Sequence, residues 1–216
     1  MLNFWDASWG LDERLCPCDV HFAEYLEEKG IKGASIFHFG TGSHHILGLR
    51  TAENGSNNAV LGITASPGEY DAYIKLLIEK PRLGATYKAY FGDIYQLDPR
   101  LLPEFDYVTN FHTCEFRTEK NDAYGALTDL EMTLVLADKL KPGQPGMADA
   151  DAPKPPSGAA DDPEPRRADF YARVEAMSVA DPERKQRLFS GADAAFGRVH
   201  TLWKERRDKA LDEADG

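Results

Sequence analysis

The chain has 216 residues, a formal net charge of −11 at pH 7, and 42% hydrophobic and 11% aromatic residues. This composition indicates a globular domain of about 150 residues with an additional segment, and it excludes a chain that is disordered throughout. The negative charge lies mainly in the first 140 residues and would repel a phosphate backbone, so we expect no nucleic-acid partner.

The sequence carries no membrane or export signal. No apolar run reaches the roughly 18–20 residues that cross a bilayer, and the N-terminus has neither a basic start nor an apolar stretch. We therefore expect a cytoplasmic protein that does not associate with membranes. The three cysteines, Cys16, Cys18 and Cys114, are predicted to be thiols. No metal site is predicted, because Cys16 and Cys18 lack a second ligand pair.

Strand and helix patterns alternate through the first 140 residues. Asp19 can cap a first helix. Runs of β-branched and aromatic residues then predict four strands, at 34–39, 59–64, 86–91 and 105–111. The alternation predicts an α/β fold with a Rossmann-like parallel sheet.

The second strand is followed by a clear helix start. Ser66-Pro67-Gly68-Glu69 combines a capping box with proline at the first helical position. The helix that it opens has a stripe predicted to face the core, made of Tyr70, Tyr73, Ile74, Leu77 and Ile78.

The domain organisation follows from a change in composition. The α/β domain is predicted to cover residues 1–143, ending at Lys141-Pro142-Gly143. Residues 144–167 are rich in Pro, Ala and Asp, which predicts a linker and no fifth strand. Residues 168–216 predict a helical C-terminal extension. This extension, or a second copy in a homodimer, is expected to cover the open edge of the fourth strand.

The segment after the first strand is the clearest candidate for ligand binding. Ligands of open parallel sheets bind beyond the carboxyl ends of the strands, where the strand order reverses. Gly40-Thr41-Gly42 lies directly after the first strand, and two glycines allow a sharp turn and a close approach of the main chain to a ligand.

Five segments in order resemble the class I S-adenosylmethionine-dependent methyltransferases. They are the first strand and its glycine loop at 36–42, the second strand with Ser66-Pro67 at 60–67, Gly92-Asp93-Ile94, the fourth strand at 105–112, and Leu140-Lys141-Pro142-Gly143. The resemblance implies S-adenosylmethionine as cofactor and a small-molecule methyl acceptor. It also implies cofactor contacts from Phe39, Gly40, Thr41, Gly42, Thr64, Asp93, Ile94 and Asn110.

The resemblance also implies individual roles. Asp93 would contact the adenine amino group. Thr64 stands where the family has the acid that holds both ribose hydroxyls, and a hydroxyl cannot make that charged, two-pronged contact. His44 replaces the third glycine of the loop. His112 is predicted to be the catalytic base, because imidazole titrates near neutral pH.

Several alternatives remain open at this point. The histidines near this edge, His38, His44, His45 and His112, also fit packing of the loop. Metal ligation by His44, His45, His112 or Cys114 is a further alternative, although these residues have no recognisable ligand spacing. Trp5 and Trp9 fit either packing of a terminal arm or a lid over the cofactor. The chain as a whole also fits a non-catalytic binding or scaffold protein. A nicotinamide-dependent oxidoreductase fits less well, since G-x-G-x-x-G and an acid ending the second strand are both missing.

Overall fold

The computed structural model describes residues 8–11, 18–111, 116–141 and 146–148. Within these ranges the helices and strands follow one another as α1 Cys18–Glu28, β1 Ser35–Phe39, α2 Ile46–Glu53, β2 Ala59–Thr64, α3 Pro67–Glu79, β3 Tyr87–Phe91, β4 Tyr107–Asn110, α4 Glu119–Asp122, α5 Asp129–Asp138 and β5 Gly146–Ala148. Short 3₁₀ turns lie between α3 and β3 and between β3 and β4.

The strands form one parallel sheet in the order β3-β2-β1-β4-β5. In the register, Phe37 of β1 lies beside Leu61 of β2 and Val108 of β4. From β1 the chain adds β2 and then β3 on one side of the sheet. It then returns to the other side of β1, where it forms β4. The strand order therefore reverses between β1 and β4, and the predicted Rossmann-like α/β fold is confirmed.

The prediction that the sheet stops at its fourth strand is wrong. Residues 146–148, placed by sequence in the linker, form β5 and pair with β4, so that Thr109 lies beside Met147. Three residues among prolines and glycines are too few to show a strand pattern, and only pairing with β4 gives them that conformation. The edge of β4 is thus covered by β5. The rest of the predicted linker and the extension 168–216 lie outside the described residues.

Apolar side chains cover both faces of the sheet. One cluster joins the sheet to α1, α2 and α3 and contains Phe22, Leu26, Ile36, Leu47 and Tyr87. The other joins it to α5 and to the turns after β3, and contains Phe37, Ile63, Phe105, Met132 and Leu136. Because both faces of the sheet are covered, the central strands β1 and β4 are buried along nearly their whole length, whereas the edge strand β3 alternates between buried and exposed residues.

Helix α3 begins where the sequence predicts, but it presents a different face to the core. Pro67 is its first residue, and the Ser66 side chain accepts the Glu69 amide. Glu69 and Tyr73 are buried, whereas Ile74 and Ile78 are exposed. The stripe prediction is therefore wrong at these two isoleucines. The buried face of α3 starts at Glu69, one position before Tyr70, where the predicted stripe starts. The apolar pattern could not show this, because the first buried side chain is polar.

Candidate functional site

The glycine loop after β1 lies at the point where the strand order reverses. Gly40 and Gly42 have φ angles of +80° and +55°, which favour glycine. A Cβ placed on Gly40 would meet no described atom within 4 Å, so the main chain there faces open space. Thr41 between them is buried, and its Oγ1 has no hydrogen-bond partner within the described residues. The loop is largely buried, and its amide at Gly40 donates to the main-chain oxygen of Ile63 at 3.4 Å. The space beside Gly40 is the part of the loop that a ligand could approach closely.

His45, which precedes α2, ties three elements together. Its φ is +47°, a left-handed conformation. The Tyr87 hydroxyl donates to Nδ1 at 2.6 Å, and the Nε2–H donates to the main-chain oxygen of Glu69 at 2.9 Å. Burial of the imidazole lowers its pKa to about 4, so the ring is neutral at pH 7. His45 thus packs the start of α2 against β3 and α3.

A second group of polar side chains lies between the start of α1 and the end of β1. The two carboxylate oxygens of Asp19 each lie 3.6 Å from an imidazole Nε2, one of His38 and one of His44. His38 Nδ1 lies 2.8 Å from Thr109 Oγ1 in β4. The Ile46 amide donates to His44 Nδ1 at 3.2 Å. The cluster therefore links α1, β1, β4 and the glycine loop.

These contacts fix the protonation of His44. Since its Nδ1 accepts an amide proton, the neutral ring carries its own proton on Nε2, facing Asp19. Burial lowers the pKa of His44, and Asp19 opposes that effect only in part. His44, which stands where the family has the third glycine, packs its ring against the loop. It closes the loop, because its ring occupies the space beside Gly42 that a Cβ would need.

Thr64, at the end of β2, contacts a carboxylate that sequence reasoning missed. Its hydroxyl donates to Glu69 Oε2 at 2.6 Å and accepts the Ser66 amide at 3.0 Å. The other carboxylate oxygen, Oε1, accepts the Trp9 amide at 3.2 Å. An acid is thus present at this edge, five residues beyond the position where the resemblance places it.

Residues 8–11 cross this edge and are here called the strap. The Trp9 carbonyl accepts hydrogen bonds from both the amide and the hydroxyl of Ser43, at 2.7 and 2.9 Å. A Cβ on Gly68 would lie 3.2 Å from the Cβ of Ser8, so the strap also touches the first turn of α3. The strap therefore joins the glycine loop to the start of α3.

The other predicted cofactor contacts lie on the same edge of the sheet. Asp93 follows β3, and its Oδ1 accepts the Tyr95 amide at 2.9 Å. Its Oδ2 accepts from Asn121 Nδ2 at 3.2 Å and from the Tyr124 hydroxyl at 2.6 Å. Ile94 is buried beside it. An adenine amino group would have to share these oxygens with donors of the protein.

Phe39 and Asn110 end the two central strands and lie side by side in the register. The Phe39 ring packs edge-on against Phe116, with centroids 5.5 Å apart. Asn110 Nδ2 donates to Thr133 Oγ1 in α5 at 3.1 Å. His112, the predicted base, lies outside the described residues, as does Cys114.

Sequence reasoning missed Glu69 and Asp19 as parts of this edge. It considered Trp9 as a lid but did not predict that its main chain contacts Ser43 and Glu69. Glu69 and Asp19 each had a local explanation as helix-start residues, which hid their contacts to distant side chains. The one usable signal was the spacing of Thr64, Ser66 and Glu69. In a capping box the glutamate carboxylate accepts the amide of the cap residue. A hydroxyl at the end of the preceding strand, such as that of Thr64, can donate to the same carboxylate and so compete with that amide.

The described ranges contain neither a candidate metal site nor a helix that could span a membrane. No group of three or more His, Cys, Asp or Glu side chains there could hold a metal ion. No helix in those ranges is long and apolar enough to cross a membrane.

Comparison with known proteins gives matches to solved structures alone. No family model matches the chain, and no curated protein matches it. The CcbJ methyltransferase from Streptomyces caelestis is similar over 65% of this chain and 51% of its own, at 16% identity and a TM-score of 0.47. The [4+2]-cyclase SpnF is similar over 66% and 50%, at 18% identity and a TM-score of 0.47.

A third similar structure is magnesium protoporphyrin IX methyltransferase, ChlM, from Synechocystis PCC 6803 with bound SAH. It matches over 58% of this chain and 51% of its own, at 18% identity and a TM-score of 0.43. The chain thus spans about half the length of each of these three structures. The likeness is one of fold.

Proposed function

We propose that this chain is an S-adenosylmethionine-dependent methyltransferase that acts on a small molecule, with the cofactor at the carboxyl edge of β1, β2 and β3. The observation that carries the proposal is the glycine loop: it lies at the reversal of strand order, and Gly40 faces open space. The acidic charge of the chain favours a small or neutral acceptor over nucleic acid.

The described residues fit such a cofactor if the strap moves. The loop 40–42 offers main-chain groups, and Asp93 and Glu69 offer carboxylates at the ends of β3 and β2. The Ser43 amide and one oxygen of Glu69 are engaged by Trp9, whose main chain a ligand would replace. When bound, the cofactor supplies an electrophilic methyl group. The chain positions the acceptor beside it and takes up the proton that a hydroxyl or amine acceptor releases.

The proton acceptor in this proposal is His112, two residues beyond the end of β4. His112→Ala should lower turnover and leave cofactor affinity nearly unchanged, because the residue acts on the acceptor. Release of S-adenosylhomocysteine, measured over a panel of small hydroxyl and amine acceptors, tests this. An active wild-type chain whose turnover is unaffected by His112→Ala would remove His112 from the mechanism.

A binding experiment tests the site itself. S-adenosylhomocysteine titrated into the full chain in a calorimeter should give a saturable one-site isotherm. In Gly40→Asn, the asparagine tolerates the positive φ and its side chain fills the open space beside the loop. The affinity for S-adenosylhomocysteine should therefore fall about tenfold or more. Gly55→Asn is the matched control, because Gly55 has a φ of +71° and open surroundings away from this edge. Equal affinity in all three proteins would place the ligand elsewhere.

The second candidate is a non-catalytic module of the same fold. Internal contacts favour it: both oxygens of Asp93, the Ser43 amide and the Glu69 carboxylate all have protein partners. A module in which these contacts are permanent would bind no S-adenosyl compound. Failure of the wild-type chain to bind S-adenosylhomocysteine at millimolar concentration would support this candidate and reject the methyltransferase.

A further inference from the structure

Glu69 is a buried carboxylate without a cationic partner among the hydrogen bonds that the described residues make to it, and burial of such a group costs free energy. It is 4% exposed, and burial raises its pKa. Its partners, the Thr64 hydroxyl and the Trp9 amide, are both neutral donors. A carboxylate offers about four acceptor positions, so two neutral donors leave capacity for more. Packing alone would be served better by an apolar side chain at this position.

Thr64 takes the hydrogen bond that a capping box would give to Glu69. In a capping box the glutamate would accept the amide of the cap residue, Ser66. Here Ser66 donates that amide to Thr64 Oγ1 at 3.0 Å instead. The Thr64 proton is then directed at Glu69 Oε2. The carboxylate is thereby turned away from its own helix and toward the ends of β1 and β2.

Glu69 is contacted by the strap through the main chain of Trp9. The Trp9 side chain is 49% exposed, and Leu11 is exposed as well. Among the residues that the structure describes, three hydrogen bonds join the strap to the rest of the chain through the main chain of Trp9, one to Glu69 and two from Ser43. They satisfy Glu69 Oε1 in α3 and the amide and hydroxyl of Ser43, the residue that follows the glycine loop. The strap thus gives the edge one donor and one acceptor, as a hydroxylated ligand would.

We infer that Glu69, in place of the residue at position 64, is the group that holds the vicinal hydroxyls of a ribonucleoside ligand, and that the Trp9 main chain is their placeholder. The inference rests on the proposed function. On binding, ribose hydroxyls donate to Glu69, first at Oε1, where they replace the Trp9 amide. The Ser43 amide and hydroxyl become available to an oxygen of the ligand. Thr64 acts as a positioning residue that keeps the carboxylate directed at the ligand.

The test uses the full chain and two ligands, S-adenosylhomocysteine and its 2′-deoxy analogue. The wild-type chain should bind the ribose form about tenfold or more tightly, since a hydrogen bond to a charged group is lost in the analogue. Glu69→Gln should weaken binding of the ribose form by a similar factor and bring the ratio of the two affinities close to one. Glu79→Gln, at the exposed end of the same helix, should leave both affinities and their ratio unchanged.

The outcomes separate the inference from the proposed function. If the wild-type chain binds neither ligand, the proposed function fails and the inference falls with it. If it binds both equally, or if Glu69→Gln keeps the wild-type preference, the site stands but Glu69 does not hold the hydroxyls. The ratio of the wild-type affinities for S-adenosylhomocysteine and its 2′-deoxy analogue is measured without any variant. It therefore remains decisive if Glu69→Gln does not fold. Thr64→Val should reduce the ratio in part, as expected for a positioning residue.

Discussion

The neutral, buried imidazole of His45 should make the stability of this protein sensitive to mild acid. Its pKa is about 4 in the folded chain, against 6.5 for the unperturbed group. Above pH 6.5 the ring is neutral in both states and contributes no pH dependence. Below pH 6.5 the unfolded chain binds a proton that the folded chain does not bind, so stability falls until about pH 4. The slope is about 1.4 kcal/mol per pH unit, and the total loss is about 3 kcal/mol.

His45→Asn isolates this contribution. Asparagine tolerates the positive φ and does not titrate, but it loses contacts of the ring with Tyr87 and Glu69. At pH 7 the variant should be less stable by on the order of 2 kcal/mol. As the pH falls toward 4, the wild-type protein should lose this advantage, because other titrating groups are common to both proteins. Urea unfolding followed by circular dichroism at pH 7, 6, 5 and 4 measures both curves.

Tyr87→Phe is the control for this experiment. It removes the hydroxyl that donates to His45 Nδ1 and keeps the imidazole, so it should lower stability at pH 7 and retain the pH dependence. Parallel curves for the wild-type protein and His45→Asn from pH 7 to pH 4 would refute the assignment of a neutral His45.

Three further predictions concern packing and chain organisation. Gly62→Ala places a Cβ 2.6 Å from the Thr41 methyl group and should lower the free energy of unfolding by about 1–3 kcal/mol in urea; unchanged stability would contradict this contact. Ile78 is 74% exposed, so Ile78→Lys should change stability by less than about 0.5 kcal/mol, and a larger loss would mean that this face is covered. Limited proteolysis of the full chain should cut first beyond residue 148, because β5 pairs with β4; early cuts before residue 146 would argue against that strand.

The four longer strands could be predicted because each is a short apolar run between turn residues. β2 agrees with its predicted bounds, 59–64, at both ends. The helix start at Pro67 could be predicted for a similar reason, since the cap and the proline act locally. β5 could not be predicted: its strand conformation comes from pairing with β4, which is 36 or more residues away along the chain.

The candidate site could be located from sequence but not described in detail. The glycine loop identifies the edge, because two glycines directly after the first strand allow a sharp turn and a close approach of the main chain to a ligand. The partners of Glu69 and Asp19 depend on contacts across 5 to 60 residues of chain, and no local pattern encodes those contacts. Thr64 therefore looked like the loss of an acid, whereas the structure supplies the carboxylate from α3.

Hydrogen exchange of the full chain, with and without saturating S-adenosylhomocysteine, tests most directly whether the carboxyl edge is the ligand site. Ligand contact with the loop and with the start of α3 should slow exchange of amides in 40–45 and 64–69. The shallow depression at the opposite edge of the sheet, lined by Gly30, Ile31, Asn54 and Ser56 among others, should be unaffected. Protection at that depression, or no protection at the glycine loop, would contradict the proposed site.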